Sequence, residues 1–142
     1  MNKKQVVAKL VKIAKEMLKK ANSPEEFLEA YVEAALWSST DESDESGGEP
    51  LDANYSADDI APEAQKQMKA DCEKFIKESG ELLEDADMSD AGHDFWLTRN
   101  RHGAGFWDGD WPEEAGKALT ELSHKFGEQD MYVGDDGKIY VS

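Results

Sequence analysis

The side chains best suited to chemistry are crowded into residues 93–112, which read HDFWLTRNRHGAGFWDGDWP. This stretch holds two of the chain's three histidines, three of its four tryptophans and both of its arginines. His93 next to Asp94 has the residue types of a general base and its orienting carboxylate. Arg99 and His102 are groups that bind anions or move protons. One functional hypothesis is therefore a small enzyme or nucleotide-binding protein that uses His93, His102 and Arg99.

The pattern around these residues favours a structural interpretation over a catalytic one. Neighbouring residues on a strand point to opposite faces, which would separate His93 from Asp94 if this segment is extended. The HGAG sequence at 102–105 could offer backbone amides to an anion. A hairpin turn also needs such glycines, and it is the interpretation we favour. We retain one candidate site in this stretch, the basic cluster of His93, Arg99, Arg101 and His102.

The two arginines of the basic cluster have a structural alternative. They are the only arginines in an otherwise acidic region of the chain. Pairing with Asp94, Asp108 or Asp110 would make Arg99 and Arg101 internal clamps.

No established catalytic or metal-binding motif occurs in the sequence. HExxH, GxSxG and Walker loops are absent, and the single cysteine, Cys72, allows neither an intramolecular disulfide nor a CxxC metal site. The acidic segment 39–59 does not follow the EF-hand order of alternating acids, a glycine and a final glutamate. We therefore predict that the protein is not an enzyme and binds neither a cofactor nor a metal.

Charge is the strongest global signal, because 16 basic against 32 acidic residues leave the chain at −16. Seven lysines and one glutamate give residues 1–21 a net charge of +6, whereas nine basic and 31 acidic residues give residues 22–142 a net charge of −22. Such a field repels nucleic acid and attracts the basic surfaces that bind it. We expect a partner with a basic surface and no direct binding to nucleic acid. Alternatively, the acidity only keeps the protein soluble.

The first 21 residues predict an amphipathic helix rather than a targeting segment. Apolar residues recur at three- and four-residue steps over 5–21, with lysines between them. These lysines interrupt the apolar core of a signal peptide, and no run in the chain approaches the roughly 18 apolar residues of a membrane span. We expect a cytoplasmic protein without membrane association. The helix could lie on a membrane or an acidic partner, but we favour packing on the domain, with its lysines against the acidic helices.

A strong start signal predicts a second helix over 24–38. Ser23 can cap this helix, Pro24 suits its first position, and Glu26 completes a capping box. Its predicted buried stripe comprises Phe27, Leu28, Tyr31, Val32, Ala35 and Leu36. On another face Glu25, Glu29 and Glu33 form a row, here called the glutamate row, with steps of about 6 Å at which like charges repel. These glutamates either meet the lysines of the first helix or serve a partner.

The remainder of the helical half, which spans about 1–90, is less regular. Residues 39–59 are rich in acidic residues, serine and glycine, and we expect a mobile loop. Residues 62–79 begin with proline, precede a glycine and predict a third helix. Residues 81–94 predict a short fourth helix or a turn.

From about residue 93 to 142 the pattern becomes that of a small sheet. We predict strands at FWLTRN and GFWD, a helix at WPEEAGKALTELSHKFG, and two strands around the Gly- and Asp-rich turn of DMYVGDDGKIYVS. The expected fold is therefore α+β in a single domain, 1–142. Three to four N-terminal helices would pack on a C-terminal antiparallel sheet of β-β-α-β-β order.

The stretch AGHDFWLTRNRHGAGFWDGDW, with ALWSSTDES before it and MYVGDDGKIYVS after it, resembles a family of small acidic proteins found in phages, prophages and plasmids. The resemblance covers about residues 31–142, and its most specific part is FWLTRN-x-HGAGFWD. The family usually has glycine at the position of Arg101 and a shorter acidic loop. The resemblance implies a mobile-element setting and transfers no catalytic residues.

The negative charge and the mobile-element setting implied by the resemblance together predict a phage-type accessory protein. It would be an acidic inhibitor or nucleic-acid mimic in the host cytoplasm. Its target would be a basic host protein of defence or nucleic-acid handling. The residues predicted for the acidic face are Glu25, Glu29, Glu33, Asp41, Glu42, Asp44, Glu45, Asp58 and Asp59. The alternative is a non-mimic binding module that meets its partner through the basic first helix and an aromatic sheet face with Trp96, Trp107 and Trp111.

Overall fold

A computed structural model describes residues 6, 23–41, 48–84, 86–102, 104–107 and 111–142 of the chain. The helices in these segments are α1 (Pro24–Ser38), α2 (Pro62–Ser79), α3 (Met88–Arg99) and α4 (Glu113–Lys125). The strands are β1 (Thr40–Asp41), β2 (Glu49–Pro50), β3 (Met131–Val133) and β4 (Ile139–Val141). Short 3-10 helices lie at Leu51–Ala53, Ala57–Asp59 and Gly80–Leu83.

The first two described helices begin and end where the sequence predicts. The Ser23 side chain accepts a hydrogen bond from the Glu26 amide at 3.4 Å, and Pro24 occupies the first turn of α1. Pro62 likewise occupies the first turn of α2, where Ala61 provides no side-chain cap, and Gly80 ends α2 with a φ of 50°. Residues at the ends of both helices therefore set their bounds.

The predicted acidic loop contains a short strand pair. β1 and β2 run antiparallel within it, with Thr40 opposite Pro50. Residues 42–47 of this loop lie outside the described residues. The helix predicted over 5–21 also lies outside them, apart from Val6, which is helical.

The two strands predicted around the Gly- and Asp-rich turn are confirmed. β3 and β4 pair antiparallel, with Tyr132 opposite Tyr140. Ile139 of β4 forms a parallel bridge with Ile60, and its carbonyl accepts a hydrogen bond from the Ala61 amide at 2.8 Å. The hairpin is thereby fastened to the start of α2.

The prediction of strands at FWLTRN and GFWD is wrong. Residues 95–99 belong to α3, and residues 105–107 lie in a bend and turns. The α+β class is confirmed, with helices mostly N-terminal, but the described chain has two separate strand pairs in place of one β-β-α-β-β sheet. The error has a physical cause. All residues from Phe95 to Arg99 are buried, so this part of α3 lacks the polar face whose 3.6-residue period identifies a helix.

α3 runs through the core and carries much of its aromatic packing. Phe95 stacks on Phe75 of α2 with 4.0 Å between ring centroids, and on Tyr31 of α1 at 5.3 Å. Phe106, from the HGAGFW segment after α3, lies 5.9 Å from Phe75 and is also buried. Aromatic pairs at these separations stabilise the fold beyond the burial of their area. Phe106 therefore completes the core from the chain after α3.

α1 and α3 have their backbones in close contact at Gly92. A Cβ placed on Gly92 would overlap the carbonyl oxygen of Phe27 and would lie 2.8 Å from its carbonyl carbon. Because the obstacle is backbone, no change of rotamer could make room for the extra atom. Glycine is therefore required here for the approach of two helices.

Gly92→Ala is expected to destabilise the fold by about 2–3 kcal/mol, because α1 and α3 must move apart to admit the methyl group. Helix propensity alone predicts the opposite sign, a stabilisation of about 1 kcal/mol. Urea unfolding followed by circular dichroism distinguishes the two. A variant as stable as the wild type would show that the helices do not touch at this point.

Candidate functional site

Arg99 of the basic cluster is buried, with 4% of its surface exposed, and it is bonded on every side. Its Nη1 donates to the Tyr31 hydroxyl at 2.9 Å and to Asp71 Oδ2 at 2.9 Å. Its Nε donates to the Gly127 carbonyl at 2.9 Å, and its Nη2 donates to the Phe126 carbonyl at 3.2 Å. The guanidinium group therefore ties α1, α2 and the chain after α4 to the end of α3.

These contacts make Arg99 an internal clamp, as the structural alternative proposed. Its described ion-pair partner is Asp71, which the sequence did not suggest; of the three suggested aspartates, Asp108 and Asp110 lie outside the described residues. The rings of Phe95 and Phe126 lie 5.6 and 5.8 Å from its Cζ atom, within the range of cation–π attraction. Arg101, in contrast, is exposed and has a left-handed φ of 57°. Arg99 is therefore engaged within the protein and is not available to a ligand at the basic cluster.

The two histidines of the basic cluster lie in different places. His93 stacks on Trp37 at 5.6 Å, and its Nδ1 lies 3.5 Å from Asp94 Oδ1. Both residues are on α3 and not on a strand. His102 is exposed beyond the end of α3 and lines a different cavity from the one at His93. The structure does not bring the two histidines and Arg99 together, so the constellation that the enzyme hypothesis requires is not formed.

Burial raises the pKa of two groups near the Arg99 clamp. Desolvation raises the pKa of the Tyr31 phenol, and the positive charge of Arg99 opposes this shift. Desolvation also raises the pKa of the Cys72 thiol, and the negative charge of Asp71 adds to it. Both groups stay protonated at neutral pH, so Cys72 is not a reactive thiolate.

A groove of about 930 Å³ lies between α1 and the segment that leads into α2, and we call it the acidic groove. The glutamate row lines it from α1, and Asp58 lines it from the facing segment. None of its described lining residues is basic. Apolar side chains form its floor, namely Leu28, Val32, Leu36, Ile60 and Met68. The acidic groove therefore offers carboxylates at its rim and an apolar surface between them.

The side chains of the glutamate row are exposed and carry no described partner. Within the described part of the chain, no hydrogen bond or ion pair engages Glu25, Glu29 or Glu33. The neighbouring Glu26 differs, because it is half-buried and its Oε2 accepts a hydrogen bond from Ser89 Oγ at 3.2 Å. Among the residues that the structure describes, nothing neutralises the glutamate row, whereas Glu26 serves the packing of α1 on α3.

The other predicted acidic residues have mixed positions. Asp58 is exposed in the acidic groove, while Asp59 is half-buried and its Oδ2 accepts a hydrogen bond from the Ser56 amide at 2.8 Å. Asp41 is half-buried in β1. Three residues lie outside the described residues, namely Glu42, Asp44 and Glu45. The acidic groove thus brings together Glu25, Glu29, Glu33 and Asp58 from the predicted face.

The apolar floor is the part of the site that the sequence did not reveal. Leu28, Val32 and Leu36 are predicted on a buried stripe, but the structure leaves Leu28 and Val32 half-buried beside the acidic groove. They repeat at four-residue steps parallel to the glutamate row, a signal that could have suggested a groove. Ile60 and Met68 come from another segment, so no local pattern could place them there.

The comparisons add no relative from which a function could be transferred. Among residues that the structure describes, no group of three or more His, Cys, Asp or Glu side chains could hold a metal ion. None of the described helices has the length and apolar character needed to cross a membrane. No family model matches the chain, and the searches of curated proteins and of solved structures found no match either.

Arg99→Met is expected to destabilise the fold by about 3–5 kcal/mol, because Asp71 and the Tyr31 hydroxyl would lose their buried partner. Arg99→Lys should also destabilise it strongly, since an ammonium group cannot reproduce the forked geometry of four hydrogen bonds. Chemical denaturation measures both effects. Arg101→Met is the matched control, because it removes the same charge from an exposed position and should change stability by less than about 0.5 kcal/mol. Similar losses at the two positions would rule out the clamp.

The stability of the fold should be insensitive to Cys72 and Tyr31 below pH 9 and should fall above it. The ordinary pKa values are 9.0 and 10.0, and both are raised in the folded chain. The unfolded chain therefore ionises first, and each group lowers stability by up to about 1.4 kcal/mol per pH unit above its ordinary pKa. Urea midpoints at several pH values between 8 and 11 test this. In Cys72→Ala the part of the decline that starts near pH 9 should disappear; an unchanged profile in that variant would contradict the assignment.

Proposed function

We propose that this chain is a phage-type acidic binding protein that inhibits a host protein by occupying a basic surface which otherwise holds nucleic acid. The observation that carries the proposal is the glutamate row. It presents exposed carboxylates at successive turns of α1, on the rim of a groove with an apolar floor.

Within the described part of the chain, no contact offsets the repulsion along the glutamate row. Like charges one turn apart cost a few tenths of a kcal/mol per pair, and no described side chain neutralises them. Only Glu25 is near enough to the N-terminus of α1 to benefit from its partial positive charge. Carboxylates that remain in an unfavourable arrangement support a role in binding a partner with cations.

The charges of the glutamate row are more widely spaced than the phosphates of nucleic acid. A mimic of nucleic acid would therefore need further negative charge from the rest of the molecule. The charges of the glutamate row repeat about every 6 Å, whereas each strand of B-DNA carries one about every 3.4 Å. Asp58 adds a charge inside the acidic groove, and residues 22–142 together carry −22. This field would speed the encounter with a basic surface, and the apolar floor would retain the partner after contact.

A target in the host cytoplasm follows from the resemblance to phage, prophage and plasmid proteins. Host proteins of defence or nucleic-acid handling have basic surfaces that bind phosphates, and these surfaces are complementary to the acidic groove. The proposal does not require the chain itself to bind nucleic acid.

A second candidate, the non-mimic binding module, is favoured by two exposed tryptophans. Trp37 and Trp107 are 46% and 45% exposed, and aromatic residues often anchor protein interfaces. The aromatic sheet face expected from the sequence is wrong, because Trp96 is buried in α3. Trp111 is half-buried, with its Nε1 donating to Asp94 Oδ2 at 2.7 Å. Among the described residues this candidate therefore depends on Trp37 and Trp107, while the basic first helix, its other predicted surface, lies outside the described residues apart from Val6.

Affinity capture from a bacterial lysate tests the proposed function. The wild-type chain should retain basic nucleic-acid-binding proteins at about 50 mM salt and lose most of them by about 200 mM, because salt screens exposed charges. Replacing the glutamate row by Glu25→Gln, Glu29→Gln and Glu33→Gln should reduce this capture at least about tenfold, which is about 1.4 kcal/mol. Mass spectrometry identifies the retained proteins, and the chain should displace duplex DNA from them.

Glu78→Gln, Glu121→Gln and Glu128→Gln together form the matched control. They remove the same charge from exposed positions outside the acidic groove, so capture should persist. Equal losses in the two triple variants would show that overall charge matters and the acidic groove does not. Capture that survives high salt and fails in Trp37→Ala or Trp107→Ala would favour the second candidate instead.

A further inference from the structure

The acidic groove starts beside a segment of this chain whose composition is complementary to it. Ser23 lines the end of the groove, and only Asn22 separates Ser23 from residues 5–21. Residues 5–21 lie outside the described residues apart from Val6, and their sequence carries five lysines and one glutamate. A strongly basic segment is thus tethered to the end of an acidic groove.

The length of residues 5–21 is close to that of α1, which forms one wall of the acidic groove. Seventeen residues in helical form extend about 25 Å, and the 15 residues of α1 extend about 22 Å. The short link at residues 22–23 is of the length that joins two antiparallel helices in contact. Geometry therefore allows the segment to lie along α1.

The pattern of side chains in residues 5–21 also matches the groove. Their apolar residues recur at three- and four-residue steps, as a helix needs to cover the apolar floor. Lys12, Lys15 and Lys19 follow the same steps and would flank that stripe on one side. The glutamate row offers three carboxylates at one-turn spacing to receive such lysines.

We propose that residues 5–21 dock in the acidic groove of their own chain as a helix antiparallel to α1, and that a basic partner must displace them. The docking stands on the groove and the sequence alone, whereas the displacement rests on the proposed function. Because the segment and the partner compete for the same carboxylates, the apparent affinity for the partner falls in proportion to the fraction of free groove. The lysine-rich segment would thus restrict binding to partners with stronger basic surfaces.

Hydrogen–deuterium exchange of the full-length chain at about 50 mM salt tests the docking. An isolated helix of this length is marginal in water, so amides of residues 5–21 should exchange at least about tenfold more slowly than unstructured chain only if the segment packs. Glu29→Lys with Glu33→Lys should abolish that protection. Adding the three reversals Lys12→Glu, Lys15→Glu and Lys19→Glu should restore it. A cooperative urea transition verifies that the variants remain folded.

Three results would overturn the proposal. The first is rapid exchange of residues 5–21 in the wild-type chain. The second is protection that persists in the Glu29→Lys, Glu33→Lys variant, because the acidic groove would then not hold the segment. The third is protection that rises with protein concentration together with a dimer in light scattering, because the segment would then occupy the groove of a second copy.

A synthetic peptide of residues 5–21 measures directly whether the acidic groove is occupied. The wild-type chain should bind this peptide weakly, because its own segment fills the groove. A variant with Lys12→Glu, Lys15→Glu and Lys19→Glu should bind it at least about tenfold more tightly, since its own segment is repelled by the glutamate row. Equal affinities would mean an empty groove and would refute the docking. No host protein enters these measurements, so the docking and the proposed function can fail independently.

Discussion

The buried guanidinium of Arg99 is the interaction on which the rest of the structure depends. It reaches α1 through Tyr31, α2 through Asp71, and the chain after α4 through two backbone carbonyls. A buried cation is costly unless each donor finds an acceptor, so these elements are held in one arrangement. The aromatic core packs around this network, with Phe95 on the same helix and Phe126 at the end of α4. The position of α1, and with it the acidic groove, follows from this clamp.

The sequence predicts those parts of the fold that local chemistry determines. Ser23 and Pro24 mark the start of α1, Pro62 marks that of α2, and the Gly- and Asp-rich turn joins the two strands of the C-terminal hairpin. The sequence-based prediction fails at α3, because the part of this helix from Phe95 to Arg99 is buried on all sides, has no amphipathic period and carries aromatic residues typical of a strand. Arg99 illustrates the same limit. The sequence predicts that Arg99 could be an internal clamp. It does not identify the partner, because Asp71 is 28 residues away and no local pattern connects the two.

The candidate site likewise has one part that the sequence predicts and one part that it does not. The glutamate row could be predicted, because four-residue spacing on a capped helix puts its members on one face. The apolar floor could not, since Ile60 and Met68 join Leu28 and Val32 only after α2 has packed beside α1. The basic cluster shows the reverse case, in which residues adjacent in sequence are separated by the fold. Arg99 turns into the core, whereas Arg101 and His102 remain on the surface.

The central claim is that the acidic groove is a binding surface for a basic, partly apolar element. The most direct measurement is the backbone amide NMR spectrum of the full-length chain across a salt titration. If a cationic element occupies the groove at low salt, amides of α1 on the groove side and those of residues 56–60 should shift as salt rises. Amides around Asp71 and Arg99 should stay unchanged, because their ion pair is shielded from solvent. Shifts spread evenly over the surface, or none along the groove, would contradict the account.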